Sequence, residues 1–354
     1  MVVSNFSLLH GTFKVVMQRL KGILKNINIM RLFFVGTFVV LGVTSLLFTS
    51  AATLTASFEV ESGTRTGGVS AVTDLAASGG GAIKFEPQSV SGACPAFPSF
   101  PDTSCTGVPA GTSLTSGGDF ATTSNGQTIT DRLINGDLVL EHNNVTVTNS
   151  RIKGRVWAHG HSGLTLRNVD LGPDSCAASP ASFAAIAQPN GFTLIQSRVH
   201  HNAADLIQIG GGQPVLIQDS MLDSTCFYDG AHLDSFQYYD PGGVVNASII
   251  HSVLDSRPVN IVGLGNAAIQ WGDFPGSGTV FTLYHNKFAG GNYTTQLNDA
   301  SIGSGVLIDA HDNVYVKNSY QYGPCTSGGS NNFNGTYGLK FVNNTLDDGT
   351  PVSC

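Results

Sequence analysis

Residues 230–239 read GAHLDSFQYY and residues 200–211 read HHNAADLIQIGG. In both phrases an aspartate precedes a glutamine by the same interval, Asp205 before Gln208 and Asp234 before Gln237, with histidine upstream at His200, His201 and His232. Carboxylates and imidazoles brought close together do acid and base chemistry, because each changes the other's hold on a proton. Two carboxylates about 5 Å apart have the spacing of a retaining glycosidase. A lyase would instead take a base such as His232 beside an acidified sugar carbon, commonly with a divalent cation. The candidate catalytic residues are thus His232, Asp234 and Asp205. Around them Gln208, Gln237, Gln270, Trp271, Tyr239 and His201 are candidate substrate-binding residues, amides for sugar hydroxyls and rings for sugar faces. No organic cofactor is required, and a rim of Asp205, Asp234 and Asp273 offers the oxygen ligands that Ca²⁺ takes. A structural reading stands beside these: both aspartates cap amides at strand starts, and the glutamines form a neutral ladder.

Which reading applies depends on whether the two phrases are successive turns of one structure. From residue 129 a repeat is visible in VTVTNSRI (145–152), LTLRNVDL (164–171), FTLIQSRV (192–199), VLIQDSML (215–222), ASIIHSVL (247–254), FTLYHNKF (281–288), IDAHDNVY (308–315) and LKFVNNTL (339–346). Each unit alternates apolar residues with period two, turns through a polar pair and returns an apolar residue. The first member of the pair is Asn149, Asn168, Gln196, Asp219, His251, His285, Asp312 or Asn343. Second short strands lie between the units, among them GRVWAHG, DLIQIGG, DSFQYYD and AAIQWGD. Strands this short cannot bury an apolar face alone, so the pattern predicts a solenoid in which each turn covers the next. Aligned on the inward position, Ile186, Ile207, Phe236 and Ile269 form one column, and Ala187, Gln208, Gln237 and Gln270 an outward one, with about 4.8 Å between turns. Asp205 and Asp234 fall in register at the strand starts.

Over residues 112–354 these units resemble the right-handed parallel β-helix proteins of the pectate-lyase-like fold. The resemblance implies an all-β solenoid and a polysaccharide as partner. NAADLIQI and HLDSFQYY are similar to the carboxylate phrase of β-helical polygalacturonases at its first acid, carried over to Asp205 and Asp234. The second acid is Gln208 or Gln237 here. Near the N-terminus, EVESG and the later ASGGGAIKF resemble the first and last strands of small carbohydrate-binding modules, without the middle of such a module. That stretch is read as a stalk or an extra pairing strand.

The chain has 354 residues, 43 of them Gly, and only 12% are charged. Residues 1–31 hold Lys14, Arg19, Lys21, Lys25 and Arg31 and no acid, and an uncharged apolar run follows. They are read as a basic cytoplasmic segment, with 32–52 a signal peptide or a signal-anchor helix, since the run is long enough to span a bilayer yet ends in small residues. Residues 53–111 form a Gly/Ser/Pro-rich linker and 112–354 the β-helix, exported to the cell surface or beyond. Without the first 31 residues, 12 Lys and Arg remain against 24 Asp and Glu, which argues against nucleic acid as a partner. The chain is read as a monomer. Cys94, Cys105, Cys176, Cys226, Cys325 and Cys354 suit disulfides in an oxidising compartment. They allow 15 pairings, of which proximity in sequence selects Cys94–Cys105, Cys176–Cys226 and Cys325–Cys354. The sequence-based expectation is an exported β-helix that binds polysaccharide and cleaves it as a lyase or glycoside hydrolase. The alternative is a non-catalytic glycan-binding adhesin or structural surface protein.

Overall fold

The computed structural model describes residues 69–73, 81–85, 93–176, 183–187, 190–210, 212, 214–239, 243–272, 275–298, 302–328 and 333–354. The expected basic segment and membrane or signal helix lie outside the described residues, as does Asp273. No helix among the described residues is long and apolar enough to cross a membrane. In the first of two compact units, Met1–Glu86, Val69–Thr73 pairs antiparallel with Gly81–Phe85.

The second unit, Pro87–Cys354, is an all-β solenoid. Its strands form three parallel sheets of nine, nine and ten strands, and each strand pairs with its equivalent one coil earlier and later. This architecture is consistent with a right-handed parallel β-helix. The chain visits the sheets in a fixed order, illustrated by Arg198–His200 in sheet III, Ile207–Ile209 in sheet I, Val215–Gln218 in sheet II and Met221–Asp223 back in sheet III. The one helical element among the described residues is a 3-10 turn at Ile302–Ser304.

The polar pair of the repeat makes the sharp corner from sheet II to sheet III. Its first residue is left-handed in every coil: Asn149, Asn168, Gln196, Asp219, His251, His285, Asp312 and Asn343 all have φ between +46° and +57°. Asn, Asp and His accept that conformation more readily than other side chains. The second residue points inward. Ser197, Ser220, Ser252, Asn286 and Asn313 are fully buried. The oxygen of each accepts the backbone N–H one coil earlier: Val169 to Ser197 (3.0 Å), Ser197 to Ser220 (3.2 Å), Ser220 to Ser252 (3.2 Å), Ser252 to Asn286 (3.0 Å) and Asn286 to Asn313 (2.9 Å). The corner thereby satisfies amides that the sheets leave over.

Inside the coils, Ile186, Ile207, Phe236 and Ile269 are in register, as the inward column requires. A second inward column contains Ile209, Tyr238 and Trp271. Trp271 is fully buried and stacks on Phe281 at 4.0 Å and on Tyr238 at 4.7 Å. This corrects its expected place beside a substrate: residue 271 has the inward parity of 269, so its ring fills the core.

All six cysteines are paired as Cys94–Cys105, Cys176–Cys226 and Cys325–Cys354. The stretch around Cys94–Cys105 docks on the left-handed corner. Phe97 stacks on His285 at 3.7 Å, and His251 Nε2 lies 2.9 Å from the Ser99 carbonyl. Between sheets III and I the connections are longer, 201–206, 224–233 and 256–266, and these carry the candidate site.

Candidate functional site

Asp205 closes one of these connections, and Asp234 begins the strand Asp234–Tyr238 one coil later. Asp205 Oδ1 accepts the backbone N–H of Asp234 at 3.0 Å, so it caps a strand start. Gln208 Nε2 donates to Gln237 Oε1 at 2.8 Å, a rung of an outward amide column that continues in register through Gln270 to Gln296. The stacking inferred from sequence thus brings together Asp205, Asp234, Gln208 and Gln237.

His232 lies over the two acids. Its Nδ1 is 2.8 Å from Asp234 Oδ2 and 3.6 Å from Asp205 Oδ1. The next coil supplies Asn266, whose Nδ2 donates to Asp234 Oδ1 at 2.8 Å and lies 3.1 Å from His232 Nε2. The His232 side chain is 56% exposed, that of Asp205 8% and that of Asp234 0%. Solvent therefore meets the imidazole and almost nothing of the carboxylates.

Electrostatics follow from this burial. The carboxylates of Asp205 and Asp234 facing Nδ1 raise the His232 titration above that of an ordinary histidine. Burial, opposed by His232 and reinforced by the Asp205 charge, raises that of Asp234. With both carboxylates beside it, the ring is held in its protonated form around neutral pH.

Two clefts meet at this ring. One, of about 370 Å³, runs along Phe227, Pro258, Ile261, Leu264 and Asn266. The other, of about 340 Å³, runs along Phe183, Ala203, Asp205, Gln208 and Asp229. Ala231 and His232 line both. Farther along the same sheet, Trp157 occupies the outward column, since it pairs with Ala187. Its ring packs against Phe183 at 4.9 Å and under the Arg155 guanidinium at 4.6 Å, and its Nε1 donates to Asp137 at 2.9 Å.

Other expected residues do not join the site. His201 is left-handed, has Nδ1 3.0 Å from the Pro173 carbonyl, and lines neither cleft. Tyr239 is 56% exposed but lines neither cleft. A paired-carboxylate glycosidase needs both acids open to the sugar, which the burial of Asp234 prevents. Sequence reasoning missed Asn266, Phe183 and Trp157. Trp157 was within reach, because GRVWAHG aligns with SFAAIAQ and sets Trp157 in the column of Ala187. Asn266 and Phe183 lie in connections without a repeat.

No family model, no curated protein and no solved structure matches the chain.

Proposed function

We propose that the protein is an exported solenoid that binds polysaccharide along the outer face of sheet I and cleaves it beside His232. The observation that carries the reading is the position of that ring: half-exposed, on the ridge between two clefts, with a fully buried carboxylate behind Nδ1. An imidazole that two neighbouring carboxylates favour in its protonated form, and that lines both clefts, is placed to give a proton to a bound ligand. Lyase chemistry fits this better than two-carboxylate hydrolysis, because the imidazole and not the acids faces the clefts. The amide column and the Trp157–Phe183 rings supply the hydroxyl and ring-face contacts that a sugar chain uses. Three disulfides support an oxidising, extracellular setting.

A second reading, a glycan-binding protein without activity, draws on the capping bond from Asp234 N to Asp205 Oδ1 and on the satisfied Gln208–Gln237 rung. The test is a panel of neutral and uronic-acid polysaccharides, read both as absorbance of unsaturated product and as new reducing ends. We expect cleavage of one class and a loss of about 100-fold or more in His232→Ala, with binding retained. Binding without cleavage of any glycan supports the second reading, and absence of binding to all of them overturns both.

A further inference from the structure

Asp234 Oδ2 belongs to a fully buried residue and has no aligned hydrogen-bond donor among the described residues, although His232 Nδ1 lies only 2.8 Å away. Native interiors rarely leave a carboxylate oxygen in that condition, because its desolvation then goes uncompensated, and coordination to a cation supplies the compensation. The oxygen is aimed at a convergence of donor atoms. One atom each from Asp205, His232 and Asp234 lies within 4.8 Å of the others.

We propose that Asp205, His232 and Asp234 form a site for a divalent transition metal of the Zn²⁺ or Mn²⁺ type. Two ligands bonded to one such ion at about 2.1 Å, and set roughly 90–110° apart, are separated by about 3.0–3.4 Å. The separations from His232 Nδ1, 2.8 Å to Asp234 Oδ2 and 3.6 Å to Asp205 Oδ1, lie on either side of that range. Two carboxylates balance the charge of the ion. The imidazole nitrogen decides its class, since Ca²⁺ and Mg²⁺ take oxygen ligands while Zn²⁺ and its neighbours accept mixed nitrogen and oxygen. The exposed side of His232 leaves the remaining coordination positions toward the clefts, where water or a ligand oxygen would complete the shell. The donor set thus differs from the Ca²⁺ rim of Asp205, Asp234 and Asp273 expected from sequence. The site shares its residues with the proposed glycan site but does not require a glycan.

The experiment uses tag-free, disulfide-intact protein stripped with chelator and dialysed against Zn²⁺, Mn²⁺ or Ca²⁺, with bound metal measured by elemental mass spectrometry. We expect about one Zn²⁺ or Mn²⁺ per chain, not displaced by excess Ca²⁺, and affinity about 100-fold lower in His232→Ala. Asp234→Asn removes a buried charge and can fail to fold, so the exposed His232 is the deciding position, with near-UV circular dichroism confirming the fold. Cobalt substitution adds a visible spectrum that must change in the same variant. No stoichiometric uptake of any transition ion, or uptake equal in His232→Ala, overturns the site. Glycan binding measured on the same samples separates the two ideas: metal without glycan leaves this proposal standing, and glycan without metal removes it alone.

Discussion

At the scale of single residues, the repeat's polar pair divides two tasks that look alike in sequence. Asp312 and Asn313 are neighbours, yet the first is left-handed and partly exposed while the second is fully buried. Asn313 Oδ1 accepts from the Asn286 backbone N–H at 2.9 Å, and its Nδ2 donates to the Leu283 carbonyl at 3.0 Å and to Asn344 Oδ1 at 2.9 Å. Asn313→Leu would leave those buried groups unpaired and should destabilise by about 2–4 kcal/mol. Asp312→Gly keeps the conformation and should stay within about 1 kcal/mol of the parent. Urea midpoints for the two variants test the contrast, and equal losses would refute the division of roles. The pair itself was legible from the repeat, but which member turned inward was not, because both positions accept small polar residues.

At the scale of elements, sheets and connections differ in how far the sequence specified them. Strand register followed from period-two alternation, and Ile207, Phe236 and Ile269 stand in one column because any slip by one residue would turn the apolar set outward. The connections between sheets III and I have no such constraint. They are held by specific links, among them Cys176–Cys226, which closes a loop of 50 residues and ties 226 into the connection that carries His232. By loop-closure entropy this link contributes about 4 kcal/mol. Replacing both cysteines with serine should lower the melting temperature and raise amide exchange in 224–233 more than in the strand Asp234–Tyr238. Uniform exchange across both segments would show that the link does not position the site.

At the scale of the whole molecule, the charged cluster on sheet III makes stability depend on pH. Burial, reinforced by Arg198 and Arg151, lowers the His200 titration to about 4 from an ordinary 6.5. Asp170 Oδ1, 2.6 Å from His200 Nε2, would act the other way, but that carboxylate is also held by the Arg151 guanidinium, so burial and the two cations decide the direction. Between those two values the unfolded chain binds more protons at this residue than the folded one, so the contribution of His200 to stability falls as pH drops from about 6.5 toward 4. The change from this residue is at most about 3 kcal/mol. Urea midpoints at pH 7.5 and 4.5 should differ more in the parent than in His200→Gln, and identical differences would count against a buried neutral His200.

The sequence by itself determined the solenoid, the polar corner of each repeat and the in-register pairing of Asp205 with Asp234, because each rests on a short-range rule repeated coil after coil. Tertiary structure alone decided that Asp234 is sealed, that His232 is the exposed member and that Asn266 completes the cluster. Those outcomes depend on how three unrelated connections fold over one corner, and nothing in their local sequence encodes which of them lies on top.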